Sequence, residues 1–276
     1  MPVVDSHVHL LPGRIGEKVR AFFTAGESNG SFSLAYPADH GLVADQLVRE
    51  GVDEIWCLPY SHKTGVAEGL NESTAAIVRG FSGHRLSVVG GATVHPADES
   101  PAVVVERAVR MHGLRVLKLH CSVGDFAVDD PRLHGAYRAA EEMRMPVVIH
   151  LGHAVNGLTE EHEIESIARV CTAHPDLPVV LAHFGHHSAR QANRLFADHP
   201  NFHADLTPVV TARPDVDGAM LAENAGRILF GTDAPNTAIS ASAHMEWLRS
   251  FGLDDPDLAA ILGGNARRLT DAVSAG

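Results

Sequence analysis

The stretch VVDSHVHL, residues 3–10, places two histidines two positions apart at the end of an apolar segment. In an extended strand, residues i and i+2 point to the same side, so Asp5, His7 and His9 are predicted to face one way. Two adjacent imidazoles are costly to bury unless a cation binds between them, and such nitrogen ligands suit a divalent metal ion. The pair alone is weak evidence, because the chain contains 19 histidines. Its meaning depends on where the other metal-type residues fall.

Short apolar runs alternate with helix-like segments along all 276 residues. Runs such as PVVIH and PVVLAH are continuously apolar, which is typical of parallel strands covered on both faces. The rhythm predicts a single-domain α/β protein, a (β/α)8 TIM barrel over residues 1–276. It disfavours an open doubly wound sheet, because no glycine-rich phosphate motif follows the first run. Residues 10–39 are predicted to form a loop insertion over the barrel mouth. The predicted strands span residues 3–5, 54–58, 86–93, 115–119, 146–150, 179–183, 201–205 and 227–231.

Composition limits the class of protein. The chain is 45% hydrophobic and 20% charged, which is typical of a folded globular protein. A formal net charge of −12 disfavours nucleic acid and anionic membranes as partners. The three cysteines lack CxxC spacing and indicate reduced thiols, and the sequence shows neither a signal peptide nor an apolar run of membrane-spanning length. We therefore expect a cytoplasmic protein with a small-molecule substrate.

The functional face of a (β/α)8 barrel is formed by the C-terminal ends of its strands, which gives a test for the histidines. Several histidines fall on helices or on turns before strands, and we interpret these as surface or capping residues. The other metal-type residues fall at or just after the ends of five predicted strands, so barrel closure would bring them to one mouth. They are His7, His9, Lys118, His120, His150, His153, His183 and Asp233. Weaker candidates on neighbouring segments are Tyr60, His62, Lys63, His186, His187 and Asp205.

A set of phrases in a fixed order accompanies these residues. The phrases are VVDSHVHL, GATVHP, VLKLHCSVGDFAVDDPRL, PVVIHLGH, LAHFG, NFHADLTP, ILFGTDAP and GNARRL. By their joint order and spacing the chain resembles the amidohydrolase superfamily. These motifs are similar to those of the amidohydrolase-related (amidohydrolase 2) branch, which contains both hydrolases and nonoxidative decarboxylases. TatD-type nucleases also begin with HxH, but they use a glutamate on strand 4, where this chain has Lys118.

The resemblance implies a metal centre. His7, His9, His150 and Asp233 would hold one divalent ion per chain, with Zn2+ as the first expectation and Mn2+ or Fe2+ as alternatives. Such an ion lowers the pKa of bound water towards about 7. Asp233 would be both a ligand and the acceptor of the water's proton, and His183 would polarise the substrate or move a proton.

The resemblance leaves two roles open for Lys118. In two-metal members of the superfamily, a lysine on strand 4 becomes a carbamate that bridges two ions, and the histidine after strand 6 binds the second ion. Members of the amidohydrolase-related branch with a similar strand commonly bind one ion. We favour one ion, with Lys118 as an unmodified ammonium that attracts an anionic group of the substrate. His120, His153 and His186 are then further substrate contacts.

The leading hypothesis for function is metal-dependent hydrolysis of a small amide, lactone or ester. The alternative is a nonoxidative decarboxylase, a lyase, that acts on an unsaturated or aromatic acid. The short chain and its 5% aromatic content favour hydrolysis. A metal-binding protein without catalysis is a third hypothesis, which the combination of a ligand set with Asp233 and His183 disfavours. The resemblance also makes a homodimer an expectation.

Overall fold

Eight parallel strands form the framework of the protein in the computed structural model, which describes residues 1–28, 33–151, 160–184, 192–207 and 216–274. The strands pair in chain order from β1 to β8. They span Val4–Val8 (β1), Glu54–Cys57 (β2), Ser87–Thr93 (β3), Val116–His120 (β4), Val147–His150 (β5), Val179–Leu181 (β6), Phe202–Asp205 (β7) and Ile228–Leu229 (β8). Each predicted strand overlaps an observed one, so the predicted (β/α)8 barrel is confirmed.

Helices cover the outer face of the sheet. Their apolar residues recur at helical spacing, as in the helix over 101–110, where Val104, Val105, Ala108 and Val109 are buried. The described helices span Gly13–Ser28 (α1), His40–Arg49 (α2), Ala67–Gly80 (α3), Pro101–Arg110 (α4), Cys121–Gly124 (α5), His134–Glu142 (α6), Glu160–Ala173 (α7), Arg194–Asp198 (α8), Gly218–Glu223 (α9), Ala241–Arg249 (α10), Asp255–Ala259 (α11) and Asn265–Asp271 (α12). None of these helices is long and apolar enough to cross a bilayer.

The barrel closes where the last strand returns to the first. The amide of Ser6 donates to the carbonyl of Phe230 at 2.9 Å, and the amide of Asp233 donates to the carbonyl of His7 at 2.8 Å. The amide of His9 then donates to the carbonyl of Ala234 at 2.7 Å. The residues that follow β8 therefore continue its pairing with β1 as far as the barrel mouth.

The barrel interior is a separate apolar cluster that includes Trp56, Val116, Val148 and Val180. Side chains alternate between the two faces of a strand, so Lys118 and His120 follow Val116 on the inner side of β4. His150 follows Val148 on β5 in the same way. The period of two therefore carries these polar side chains to the mouth, above a packed apolar floor.

The segment over residues 10–39 is helical over much of its length, because α1 occupies Gly13–Ser28. The prediction of a loop there is wrong for that stretch. The Arg20 guanidinium donates to the carbonyls of Tyr36 and Pro235 at 2.8 and 2.9 Å, and the Ala35 amide donates to the carbonyl of Thr237 at 2.9 Å. These contacts hold the segment against the residues that follow β8, and its role as a cover for the mouth stays a prediction.

Candidate active site

The two histidines of the HxH motif face each other at the barrel mouth, with their Nε2 atoms 3.2 Å apart. The Nδ1–H of His9 donates to the carbonyl of Leu58 at 2.6 Å. The Nδ1 of His7 lies 2.8 Å from a carboxylate oxygen of Asp205. A carbonyl and a carboxylate only accept hydrogen bonds, so each neutral ring carries its proton on Nδ1 and a lone pair on Nε2. Both lone pairs therefore point into the same space.

Asp233 adds a carboxylate to this space. Its Oδ1 lies 3.0 Å from Nε2 of His9 and 3.6 Å from Nε2 of His7. The backbone of Asp233 is left-handed, with φ 66°, and its amide is held against β1 by the carbonyl of His7 at 2.8 Å. Three groups with lone pairs at this separation repel one another unless a cation or a proton lies between them. Two imidazole nitrogens and a carboxylate oxygen are suitable ligands for a divalent transition metal, so the residues fit the predicted ion.

His183 is the third imidazole to reach this space. Its Nδ1–H donates to the carbonyl of Thr207 at 3.2 Å, which leaves the Nε2 lone pair free. The ligand atoms of His7, His183 and Asp233 all lie within 4.8 Å of one another. His183, expected as a catalytic residue, is therefore also placed to contact an ion.

His150 and His120 form a stacked pair on neighbouring strands, with ring centroids 3.9 Å apart and an interplanar angle of 18°. Burial lowers the pKa of both imidazoles well below the ordinary value, so both rings are neutral. The Nδ1 of His150 is buried and has no hydrogen-bond partner among the described residues. The ring of His150 lies 4.7 Å from the ring of His183. Ligation by His150 and substrate contact by His120 stay predictions.

The protonation states around the donors suit metal binding. Burial lowers the pKa of His7 to about 3, with the nearby charge of Lys118 acting in the same direction. The pKa of the Asp233 carboxyl lies below its ordinary value, although burial on its own would raise it. Neutral imidazoles beside an ionised carboxylate are the forms in which these side chains bind a metal.

Lys118 is fully buried in the middle of β4, and its Nζ lies 3.1 Å from Nε2 of His7. Because that nitrogen carries a lone pair, the ammonium is the donor in this contact. Burial lowers the pKa of Lys118 to about 8, and the carboxylates of Asp205 and Asp233 oppose that shift. The side chain thus places a positive charge directly against the candidate ligands.

We expect Lys118 to remain an unmodified amine. A carbamate on Nζ would have to displace the 3.1 Å contact with His7. The intact mass of the native protein should equal that of the sequence, and activity should not depend on added bicarbonate. A native mass raised by one carbon dioxide, together with two bound ions per chain, would show that the lysine is carbamylated.

Asp5 does not join the imidazoles, and the prediction that it faces the same way is wrong. Its carboxylate accepts from the amide and the hydroxyl of Thr232 at 2.9 and 2.6 Å. The pairing of β1 shifts register between Asp5 and Val8, and this irregularity changes which side of the strand each residue faces. Burial raises the pKa of Asp5 to about 7. The residue ties β1 to the segment after β8 and does not enter the metal space.

The remaining candidates have different outcomes. His153, His186 and His187 lie outside the described residues, so their roles stay predictions. The ring of Tyr60 lies 5.2 Å from the ring of His9 and 4.8 Å from that of His120, which places it at the site. His62 and Lys63 are exposed on the loop that follows β2.

Two threonines at the site were missed by sequence reasoning. Thr207 donates its hydroxyl to Asp205, and its carbonyl accepts from His183. Thr232 binds Asp5 just before Asp233. Thr207 follows the end of β7 and Thr232 follows the end of β8, as Asp233 does. This position after a strand could have identified both threonines from the sequence.

The family model for amidohydrolases, Amidohydro_2, matches residues 4–270, which is nearly the whole chain. This chain belongs to the amidohydrolase family. The space between His7, His9 and Asp233 is the candidate metal centre of this chain, because their ligand-type atoms meet there. No curated protein sequence matches this amidohydrolase.

Solved structures with the same barrel include members with different chemistries. An uncharacterized TIM-barrel protein, Bb4693 from Bordetella bronchiseptica, is 21% identical over 99% of both chains, with a TM-score of 0.75. The 5-carboxyvanillate decarboxylase LigW from Sphingomonas paucimobilis is 14% identical over 99% of both chains, with a TM-score of 0.68. The 4-oxalomesaconate hydratase LigJ from Rhodopseudomonas palustris is 18% identical over 98% of this chain and 96% of its own, with a TM-score of 0.64. At these identities the likeness concerns the fold.

Proposed function

We propose that this amidohydrolase is a cytoplasmic, metal-dependent hydrolase that cleaves a small amide, lactone or ester with one divalent ion per chain. Zn2+ is the first expectation, and Mn2+ or Fe2+ are alternatives. Manganese is bound in a related 5-carboxyvanillate decarboxylase from Novosphingobium aromaticivorans, which keeps that ion among the alternatives. We also propose that the protein is a homodimer and that neither nucleic acid nor a membrane is its partner.

One observation carries the proposal: the lone pairs of His7 and His9 meet the carboxylate of Asp233 within 3.6 Å. A divalent ion held by these groups would polarise a substrate carbonyl and acidify water. A carboxylate in the same contact can take the proton that such water loses.

The other side chains have distinct tasks in this scheme. Asp233 accepts the proton at a carboxylate oxygen and returns it to the leaving group. His183 presents an unprotonated Nε2, because its Nδ1–H is held by the carbonyl of Thr207. It therefore accepts a hydrogen bond or a proton from the substrate or from water. His150 completes the ligand set, and His120 stacks on it and contacts the substrate.

The distribution of lysines supports an anionic group on the substrate. The sequence contains only three lysines, at positions 18, 63 and 118. Lys118 lies among the ligands. Partial burial is the main reason that the pKa of His62, on the loop after β2, is lowered, and the nearby charges of Lys63 and Lys18 lower it further. In a chain with a net charge of −12, a concentration of lysines at the mouth favours the approach of an anion.

Nonoxidative decarboxylation of an unsaturated or aromatic acid is the second candidate. The buried ammonium of Lys118 would hold a carboxylate beside the ion, and Asp233 or His183 would supply the proton that replaces carbon dioxide. The likeness to the 5-carboxyvanillate decarboxylases supports this candidate at the level of fold.

The source of oxygen in the product separates the two reactions. Lactones, amides, esters and unsaturated acids are screened with metal-loaded protein, and any substrate found is turned over in 18O-water. Hydrolysis should place the label in the product carboxylate, because water supplies the new oxygen. Unlabelled product with one carbon dioxide released per turnover would replace hydrolysis by decarboxylation. Label in a new hydroxyl, with no bond cleaved, would instead identify a hydratase.

A further inference from the structure

We propose that Asp205, the last residue of β7, is a positioning residue that fixes which nitrogen of His7 faces the metal and holds the backbone of His183 at the site. The inference rests on the proposed metal centre, but its main consequence, the tautomer of His7, exists in the metal-free protein. Nothing about Asp205 requires that it touch the ion or the substrate.

Both oxygens of Asp205 are engaged by donors. Its Oδ2 lies 2.8 Å from Nδ1 of His7. Its Oδ1 accepts from the amide of His183 at 2.9 Å, from the amide of Thr207 at 3.2 Å and from the hydroxyl of Thr207. The side chains of Asp205 and His7 are almost completely buried. Water therefore does not replace these bonds, and the geometry demands a group that accepts on both sides.

The bond to His7 favours one tautomer of the ring; the Thr207 hydroxyl oxygen, 3.3 Å from the same Nδ1, is a longer and therefore weaker second contact. An acceptor at 2.8 Å keeps the proton on Nδ1 and the lone pair on Nε2, which is the atom that faces His9, Lys118 and Asp233. A histidine that binds a metal usually donates its other nitrogen to a carboxylate or a carbonyl in this way. The carbonyl of Leu58 does the same for His9. Different partners thus fix the tautomers of the two rings. The partner of His7 is the side chain of Asp205, whereas the partner of His9 is a backbone carbonyl.

The bond to His183 acts on the main chain. His183 has φ 57°, a left-handed conformation that is unfavourable for a residue with a Cβ. Its amide donates to the carboxylate of Asp205, and the next amide, that of Phe184, donates to the Asp205 carbonyl at 2.8 Å. One residue thus holds the turn that directs the His183 ring to the mouth. The carbonyl of Thr207 holds that ring's Nδ1 from the same end of β7.

An asparagine at position 205 would separate the two tasks, because it offers one acceptor oxygen where the aspartate offers two. Three donors surround Oδ1, and one faces Oδ2. The amide oxygen should therefore stay with His183 and Thr207, and the NH2 group should face Nδ1 of His7. Two donors cannot share that contact, so the His7 proton should move to Nε2. The metal would then meet a protonated nitrogen.

The experiment compares the wild-type protein with Asp205→Asn. In the metal-free wild type, a long-range 1H–15N NMR spectrum should show His7 protonated on Nδ1 and not on Nε2, with its signals assigned by their loss in His7→Gln. In Asp205→Asn the proton should appear on Nε2. The dissociation constants of Zn2+ and Mn2+, measured by competition with a chelator, should rise about 10- to 100-fold.

Asp5→Asn is the matched control, because Asp5 is equally buried, but its carboxylate accepts from the amides of His7 and Thr232 and from the Thr232 hydroxyl, and it contacts no imidazole. It should leave the His7 tautomer unchanged. An Nε2-protonated His7 in the wild type, or an unchanged tautomer and metal affinity in folded Asp205→Asn, would overturn the inference. The wild-type spectrum decides even if the variant does not fold. If the wild type shows the expected tautomer but binds no metal, the proposed metal centre is wrong and the positioning role remains.

Discussion

Replacing Asp233 by asparagine should leave a folded barrel whose turnover is at least about a hundredfold lower, the usual scale for the loss of a general base. Asparagine keeps the shape of the side chain and tolerates the left-handed φ of 66°. The bond from the amide of residue 233 to the carbonyl of His7 does not involve the side chain. The variant therefore removes a negative charge and a proton acceptor from beside His9 while it keeps the backbone.

Asp125→Asn is the matched control for this experiment. Asp125 is exposed, follows the short helix after β4 and also has a left-handed backbone, with φ 54°. The same chemical change in the same conformation should leave kcat and KM close to those of the wild type. Circular dichroism and thermal unfolding establish that both variants are folded. Near-normal kcat in folded Asp233→Asn would remove Asp233 from the mechanism.

The double variant His7→Ala/His9→Ala should lose its metal. The wild type, loaded with zinc, manganese or iron and then desalted, should retain about one ion per chain by elemental analysis, as expected for a site with protein ligands and an open position. The variant loses two of the four proposed ligands, His7, His9, His150 and Asp233. Asp233 and His150, with His183 beside them, would hold an ion only weakly without the HxH pair, so the retained metal should fall close to zero.

A second pair of facing imidazoles provides the control. Nε2 of His174 lies 3.1 Å from Nδ1 of His134. The Nδ1 of His174 contacts Glu141 at 3.1 Å, so this pair belongs to a cluster that does not include His7, His9 or Asp233. The folded His134→Ala/His174→Ala variant should therefore keep the full metal content of the wild type. Metal retained by folded His7→Ala/His9→Ala, or a wild type without metal under all three loading conditions, would contradict the assignment of the centre.

The barrel and the meeting of His7, His9 and Asp233 could be predicted because both follow from repeating patterns. Apolar runs at regular intervals indicate strands, and the ends of parallel strands converge whatever their exact length. The helix α1 could also have been found, since Ile15, Val19 and Phe23 recur every four residues. The irregularity in β1 that turns Asp5 away could not, because a register shift depends on the neighbouring strand and leaves no period in the sequence.

The orientation of individual rings was less predictable than their location. His183 is close to the candidate ligands because its backbone adopts a positive φ, and residues distant in sequence hold that conformation. The partner of His7 is Asp205, which is 198 positions away. Sequence position showed that Asp205 was near the mouth. It did not show which atoms it would contact, since that depends on closure of the whole barrel.

The seam between β1 and the residues after β8 has a consequence for how the protein matures. Asp5 and Thr232, which bond across this seam, are 227 positions apart, and His7 and Asp233 meet beside them. Contacts of such long range form only after the entropy of closing a very large loop has been overcome. During synthesis both histidines are therefore made long before the carboxylate of Asp233, which follows the last strand of the barrel. The site formed by His7, His9 and Asp233 is for that reason assembled late. A chain truncated before β8 would expose the HxH histidines without the carboxylate ligand that completes the metal site.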